Sequence, residues 1–362
     1  MNSWIYMPTV HSVLSGIMKK RSIYPFTAIV GQENMKEALI LNTIYPMIGG
    51  VLIRGEKGTA KSTAVRALAD LLPDRCVVAG CACGCDIEDP NNLCPECQEK
   101  KEKGELTKAV SSMKVVELPL SSTEDRVAGT LDIEHAIKTG KKKFEPGVLA
   151  KANGNILYVD EINLLDDHIV DLLLDAAAMG VNYIEREGIS YSHPSKFILV
   201  GTMNPEEGDL RPQLLDRFGL LVDVGSEHDE TRRMEIIQRR MEFEKDPDGF
   251  REDYSKEQQK LRDDIIEARS RVAGIEPGED VIRAAVKIPL HLGVDGHRAD
   301  LTLIKAAIAY AAMNKRIEVT PSDVVHVSKL VMPHRMRRNP FQESTLNTEE
   351  LDTWLQTAFG TN

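Results

Sequence analysis

Short apolar runs that end in polar or glycine residues recur along the first two thirds of the chain. A run that is apolar at nearly every position is typical of a strand buried on both faces of a parallel sheet. Stretches with helical apolar spacing separate the runs, and this alternation predicts an α/β fold with a mainly parallel, five-stranded sheet. The predicted strands cover residues 51–53, 114–118, 155–161, 197–204 and 220–224.

The pattern changes after Asp229, where little strand signal remains. Two highly charged helical stretches come first, and three more apolar ones follow. We therefore expect a helical C-terminal domain behind the α/β domain. The predicted helices cover residues 229–245, 256–273, 281–289, 299–315 and 321–330.

Composition excludes some classes of partner. The 362 residues carry a net charge of −11, which argues against nucleic acid or an anionic membrane as the main partner. No apolar stretch reaches the roughly 20 residues of a membrane-spanning helix. The basic residues 19–21 follow the apolar part of the N-terminus, the reverse of a secretory signal, so the sequence predicts a cytoplasmic protein.

Residues 55–62, Gly-Glu-Lys-Gly-Thr-Ala-Lys-Ser, follow the first apolar run and open a helical pattern. A strand, a glycine-containing turn and a helix beginning at Lys-Ser form a phosphate-binding P-loop, although an ordinary strand-to-helix turn is the alternative. Backbone N–H groups would face the phosphates of ATP, Lys61 would reach the outer phosphates and Ser62 would hold Mg²⁺. The predicted ATP-binding residues are Gly55, Glu56, Lys57, Gly58, Thr59, Ala60, Lys61, Ser62 and Thr63.

Ala60 departs from the strict P-loop pattern, which has glycine immediately before the lysine. An alanine fits this position if its backbone is helical, whereas a positive φ angle would be costly for it. We expect replacement of Ala60 by glycine to leave ATP hydrolysis intact or to raise it.

Asp160 and Glu161 end the third predicted strand. Most such acids only mark a strand entering a solvated loop. Downstream of a P-loop they predict a Walker B pair, in which Asp160 orders the water shell of Mg²⁺ and Glu161 polarises the attacking water. We expect the two strands to be neighbours in the sheet, so that the P-loop and the acids face one phosphate.

Four further polar residues are candidates for the same site. Asn204 is either a turn residue before Pro205 or a sensor between the attacking water and the γ-phosphate. Arg211, Arg217 and Arg298 are either solvated surface groups or guanidinium groups that reach the γ-phosphate of a neighbouring subunit.

Longer strings are more specific than these motifs. They are PFTAIVGQ at 25–32, the P-loop, TEDRVAGTLDIE at 123–134, FEPG at 144–147, YVDEINLLDDH at 158–168, and MNPEEG at 203–208 with 211–220. Over about residues 24–335 the chain resembles the ATPase subunit, subunit I, of magnesium chelatase, which is an AAA+ protein. That family has glycine at the position of Ala60.

The resemblance implies roles for the arginines. Arg217 would be an arginine finger acting on the ATP of the next protomer, Arg298 the sensor-2 arginine and Arg211 an assisting group at the interface. It also implies a hexameric ring, and ATP hydrolysis that drives insertion of magnesium or cobalt into a tetrapyrrole. The implied partners are a second AAA+ chelatase subunit and a large porphyrin-binding subunit, which would carry the chelation site.

Two other functions remain open on the residues alone. A MoxR-like AAA+ ATPase that remodels a protein partner would share every nucleotide-binding residue. A scaffold that binds ATP and hydrolyses little is disfavoured by Glu161, Asn204 and Arg217. The predicted domains are an N-terminal extension at 1–23, a nucleotide-binding α/β domain at 24–245 with inserts at 76–97 and 121–147, a helical linker at 246–275, a helical lid at 276–335 and a tail at 336–362.

All six cysteines lie between Cys76 and Cys97, which favours one local role over disulfides dispersed through a secreted fold. Four thiolates in two close pairs can complete a tetrahedral Zn²⁺ site. A redox-active dithiol, an iron–sulfur cluster and unligated thiols in a surface loop are the alternatives. The predicted Zn²⁺ ligands are Cys83, Cys85, Cys94 and Cys97, with Cys81 as an alternative.

Overall fold

The computed structural model describes residues 22–131, 144–186 and 189–336, together with Trp354 and Thr357. Its central sheet consists of β1 (Val51–Gly55), β4 (Val115–Glu117), β7 (Ile156–Val159), β10 (Ile198–Met203) and β11 (Leu220–Val224). The strands lie in the order β11, β1, β10, β7, β4, and every pair of neighbours is parallel. The predicted five-stranded parallel sheet is confirmed.

The expected adjacency of the P-loop strand and the acidic strand is wrong, because β10 lies between β1 and β7. Val51 of β1 pairs with Val200, and Ile156 of β7 pairs with Ile198 on the other side of β10. The three strands are parallel, so their carboxyl ends still meet at one edge of the sheet. Asn204, which follows β10, therefore comes between the P-loop and the two acids.

Helices cover both faces of this sheet. Along β1, Val51 and Ile53 face one core cluster and Leu52 faces the other, as the two-residue period of a strand requires. The helices are α1 (Glu33–Ile44), α2 (Lys61–Leu71), α3 (Pro95–Glu102), α4 (Glu124–Ala128), α5 (Val148–Ala152), α6 (Asp167–Met179), α7 (Pro212–Leu215), α8 (Glu230–Lys245), α9 (Pro247–Asp253), α10 (Ser255–Val272), α11 (Glu279–His291), α12 (Arg298–Met313) and α13 (Pro321–Val331).

The helices α1 and α2 cover one face, whereas α5, α6 and α7 cover the other. The C-terminal helices α10 to α13 share the cluster of α1 and α2, with α12 packed on α1 and α13 packed on β11. The helical C-terminal region is thus joined to the α/β region by a continuous apolar core.

Three antiparallel strand pairs lie outside the central sheet. They are β2 (Arg75–Val78) with β3 (Lys108–Ser111), β5 (Gly129–Leu131) with β6 (Phe144–Pro146), and β8 (Val181–Arg186) with β9 (Ile189–Pro194). The sequence of residues 183–193, with Glu187 and Gly188 as a turn, predicts a β-hairpin, and the last pair confirms its two strands. Residues 1–21, 132–143, where the sequence predicts a helix over 132–138, 187–188 and most of the tail from 337 lie outside the described residues. Within the described ranges, no helix is both long enough and apolar enough to cross a membrane.

Candidate nucleotide site

The P-loop joins β1 to α2 at the carboxyl edge of the sheet. Gly58 has a φ angle of 87°, and a Cβ atom there would meet nothing within 4 Å, so the turn borders open space. Lys61 Nζ donates hydrogen bonds to the carbonyls of Gly55 and Glu56, the latter at 2.9 Å. Burial lowers the pKa of Lys61. The lysine is therefore held across the loop, where an anion would replace its carbonyl partners.

Ala60 has a φ angle of 61° and a ψ angle of 16°, which is left-handed. The condition under which alanine fits without strain, a right-handed helical backbone, is not met. The left-handed conformation costs an L-residue about 1–2 kcal/mol, a cost that glycine avoids.

Two neighbouring side chains hold the carboxylate of Asp160. The hydroxyl of Thr202, on β10, donates to Asp160 Oδ1 at 2.5 Å, and the Tyr158 hydroxyl donates to the same oxygen at 2.9 Å. Burial raises the pKa of Tyr158, so the phenol remains a donor. Thr202 Oγ1 also accepts from the backbone N–H of Glu161 at 3.3 Å. One threonine thus contacts the carboxylate of Asp160 and the backbone of Glu161.

A lysine of the P-loop pairs with the proposed catalytic glutamate. Lys57 Nζ lies 3.1 Å from Glu161 and 2.6 Å from Glu207, and hydrogen bonds to these carboxylates, that of Glu207 first, raise the pKa of Lys57. Glu161 has a φ angle of 51°, which turns the chain sharply after β7. Asn204 is 5% exposed, and its side-chain oxygen accepts from the backbone N–H of Glu206.

These groups line one cavity of about 840 Å³. The predicted residues 57–63, Asp160, Glu161 and Asn204 are all in its wall, whereas Gly55 and Glu56 contribute through their bonds to Lys61. A second wall, which the sequence analysis missed, comes from the segment before α1 and from α8. It includes Tyr24, Ile29, Val30, Arg233, Ile236, Ile237 and Arg240. Two adjacent isoleucines, Ile236 and Ile237, are exposed in the otherwise highly charged α8, and this sequence feature could have indicated the second wall.

The donor set fits a magnesium–nucleotide complex. Carboxylate and hydroxyl oxygens are the ligands that Mg²⁺ prefers, and Asp160 and Ser62 supply both kinds in this cavity. The ammonium of Lys61 and the helix N-terminus supply positive charge for phosphates. The isoleucines of the second wall, Ile29, Ile236 and Ile237, offer an apolar surface for a base. When bound, Mg²⁺ would neutralise phosphate charge at this place.

None of the three predicted arginines is in the wall of this cavity. Arg217 pairs with Asp171 and Asp175, both on α6, and Arg211 pairs with Asp167 at 2.5 Å. Arg298, at the start of α12, pairs at 2.5 Å with Asp216, the residue next to Arg217. The three arginines therefore occupy a region of their own, which we call the arginine face.

The cysteine segment contains a compact cluster of sulfur atoms. The Sγ atoms of Cys81, Cys85, Cys94 and Cys97 all lie within 4.8 Å of one another. The predicted alternative ligand, Cys81, belongs to this cluster, whereas the preferred Cys83 is not one of its four sulfurs. Gly84 N–H bonds to the Cys81 carbonyl, and this turn brings Cys85 back beside Cys81 while Cys83 is within the turn itself.

The P-loop, the acidic strand end and the polar residue after β10 define the chain as an AAA+ ATPase. Residues 103–218 match the AAA domain (dynein-related subfamily), and residues 282–354 match the AAA lid domain. The chain belongs to the magnesium-chelatase subunit ChlI family, as the resemblance in its sequence predicts.

Several relatives support this assignment. The chain is 59% identical over 337 residues to a magnesium-chelatase subunit ChlI homolog of Methanocaldococcus jannaschii, covering 93% of this chain and 92% of that protein. It is 51% identical over 324 residues to the chloroplastic ChlI of Oryza sativa subsp. japonica, covering 89% and 78%.

Solved structures agree with the fold. A chain from a cryo-EM-based complex of the magnesium chelatase subunits BchI and BchD is 46% identical, with a TM-score of 0.53 and coverage of 88% of this chain and 98% of that one. A crystal structure of a putative ATPase from Cytophaga hutchinsonii, 18% identical, has a TM-score of 0.59 over 91% and 90% of the two chains and supports the fold alone.

Proposed function

We propose that this chain is the ATP-hydrolysing motor subunit of a chelatase that inserts magnesium, or cobalt, into a tetrapyrrole held by a partner. The observation that carries the proposal is the convergence of Lys61, Asp160, Glu161 and Asn204 on one cavity. The family assignment supports the chelatase context, because the relatives are named as subunits of magnesium chelatase.

In this proposal each residue has a separate task in converting ATP and water to ADP and phosphate. The P-loop amides and Lys61 bind the phosphates. Glu161 accepts a proton from the attacking water, and Asn204 orients that water. Before Glu161 can act as a base, its carboxylate must be released from Lys57, which now lies 3.1 Å away.

The arginine face supports a second copy of this chain as a partner. We propose that Arg217 reaches the ATP of the next protomer in a hexameric ring, with Arg211 and Arg298 assisting at the same interface. The complex of BchI and BchD supports a second chelatase subunit as a partner. A large porphyrin-binding subunit and a cytoplasmic location complete the proposal.

Glu161→Gln tests the motor. Glutamine preserves the size of the side chain but cannot accept the proton, so turnover should fall by about 100-fold or more while ATP binding is retained. The matched control is Glu117→Gln, which neutralises an exposed acid at the end of β4 in the same sheet. Unchanged turnover in Glu161→Gln would reject the mechanism.

The chelatase context is tested separately by affinity capture with this chain as bait in the presence of ATP. Recovery of a large tetrapyrrole-binding subunit is expected. Recovery of a protein substrate without any tetrapyrrole-binding subunit would instead support a remodelling ATPase of the MoxR type.

A further inference from the structure

We propose that Cys81, Cys85, Cys94 and Cys97 bind one Zn²⁺ ion in a tetrahedral site that crosslinks the segment between β2 and β3 internally. The site lies outside the nucleotide cavity, and none of its four ligands lines that cavity. Its role is therefore structural, and the proposal is independent of ATP hydrolysis.

The spacing of the sulfur atoms matches a single tetrahedral ion. A Zn–S distance of about 2.3 Å places tetrahedral ligands about 3.8 Å apart, and Cys81 Sγ lies 3.8 Å from Cys94 Sγ. A disulfide would require a separation of about 2.05 Å. A polynuclear iron–sulfur cluster would place iron and sulfide between the ligands and hold them farther apart than this compact group.

The backbone around the sulfurs has the hydrogen bonds that thiolate ligands require. Cys85 N–H points at Cys81 Sγ at 3.5 Å, and Cys94 N–H points at Cys85 Sγ at 3.2 Å. Cys94 precedes Pro95, the first residue of α3, and the Cys97 N–H bonds to the Cys94 carbonyl. The second cysteine pair is thus held in a knuckle at a helix start, where positive backbone charge favours thiolates.

The cluster is shielded from solvent. Cys85, Cys94 and Cys97 are each at most 2% exposed. Sulfurs packed this closely cannot all ionise unless a cation lies among them.

Arg75 places one positive charge beside the cluster. Four thiolates and one Zn²⁺ leave a net charge of −2, and the guanidinium of Arg75, which also faces Asp86, offsets part of it. It donates to the Gly84 carbonyl at 3.1 Å, and its Nε is buried without a hydrogen-bond partner among the described residues. Gly154 leaves the space that this guanidinium fills, since a Cβ there would lie 2.0 Å from it.

Contacts around the cluster show which parts of the fold the crosslinked segment packs against. The Tyr191 hydroxyl, on β9, donates to Glu96 in the knuckle at 2.8 Å. Asn153, just before β7, donates to the Cys83 carbonyl at 2.9 Å. The same segment therefore contacts both the β8–β9 hairpin and the approach to the acidic strand.

Metal analysis of the full chain tests the site. The protein is purified without oxygen, chelator or a metal-binding tag, and zinc, iron, nickel and cobalt are measured per chain. We expect one zinc in the wild type and in Cys83→Ser and Cys76→Ser, and loss of zinc in Cys81→Ser. Cys81→Ser and Cys83→Ser form the sharpest pair, because both sulfurs belong to the same turn.

A titration of the wild type keeps the test decisive if a variant fails to fold. An organomercurial should release one zinc as the buried thiols react, and one Co²⁺ bound in its place should give the intense visible bands of tetrahedral thiolate coordination. Stoichiometric iron, or no bound metal even after anaerobic reconstitution with Zn²⁺, would overturn the proposal. Loss of zinc in Cys83→Ser with retention in Cys81→Ser would overturn the ligand assignment.

Discussion

The cavity and the arginine face, which the proposed mechanism brings to one phosphate from two neighbouring protomers, differ in how complete they are. In the cavity, Lys61, Asp160, Glu161 and Asn204 surround one space within a single chain. On the arginine face, each guanidinium already pairs with an acid of its own chain. In the proposed mechanism, one chain supplies the groups that bind phosphate and activate water, and a neighbouring chain supplies the arginine that neutralises the transition state. The difference explains why turnover should depend on assembly.

The pairs on the arginine face are suited to exchange. Asp171 and Asp175 are about half exposed, and ion pairs of such acids contribute about 0–1 kcal/mol. A phosphate offers a guanidinium stronger, charge-assisted hydrogen bonds than an exposed carboxylate does. We therefore expect the intramolecular pairs to keep Arg217 in place without preventing its transfer to a neighbouring site.

The largest expected effect comes from Arg217→Ala. An arginine finger contributes about 10³-fold or more to turnover, so this variant should bind ATP and hydrolyse almost none. Mixing it with Lys61→Ala, which lacks phosphate binding, should restore part of the steady-state ATPase activity, because mixed rings contain interfaces with one intact half from each variant.

Arg283→Ala is the control for Arg217→Ala, since among the described residues this arginine pairs with the exposed Glu279 on α11 and lies outside the cavity wall. It should retain wild-type turnover. If mixing restores nothing at any ratio while mixed oligomers form, the assignment of Arg217 to a neighbouring site is wrong.

A smaller effect is expected from the double variant Asp171→Asn, Asp175→Asn. It frees Arg217 from two exposed acids, and 1 kcal/mol corresponds to about fivefold in rate, so turnover should rise by up to about fivefold. The rise should shrink at high salt, which already screens the wild-type pairs. A loss as severe as that of Arg217→Ala would show that the aspartates position the arginine instead of holding it back.

The smallest effect is expected from Ala60→Gly, which alters the cavity and leaves the arginine face unchanged. Glycine relieves a left-handed strain of about 1–2 kcal/mol but adds about 0.5–1 kcal/mol of backbone entropy to the unfolded state. The melting temperature and turnover should therefore stay level or rise slightly. Ala69→Gly in the right-handed interior of α2 should lower stability by about 1 kcal/mol. An equal loss of stability in Ala60→Gly and Ala69→Gly would show that the backbone of Ala60 is not strained.

The sequence predicted the parts of the cavity that are local in the chain. Apolar runs ending at residues 160, 161 and 204 mark buried strands and the polar positions at their ends, and the P-loop is a continuous string. Strand order was not predictable in this way. The insertion of β10 between β1 and β7 depends on pairing between residues more than 40 positions apart, such as Ile156 and Ile198.

Geometry at a turn limited the cysteine prediction in the same manner. The spacing of Cys81, Cys83 and Cys85 allows any two of them to bind one metal ion. Which two sulfurs come together depends on the turn between Cys81 and Gly84. The ion pair between Lys57 and Glu161 was also not predicted. Glu161 has a left-handed backbone, and this conformation cannot be predicted from the sequence at a non-glycine residue.

The core shared by α1 and the C-terminal helices has a consequence for biosynthesis. Translation runs from the N-terminus, so α1 and the whole sheet are made before α12 and α13 leave the ribosome. The surface that these helices cover stays apolar and exposed to water during that interval. We therefore expect a nascent chain stalled before residue 298 to bind chaperones. The core is complete only after α12 and α13 have been synthesised and packed.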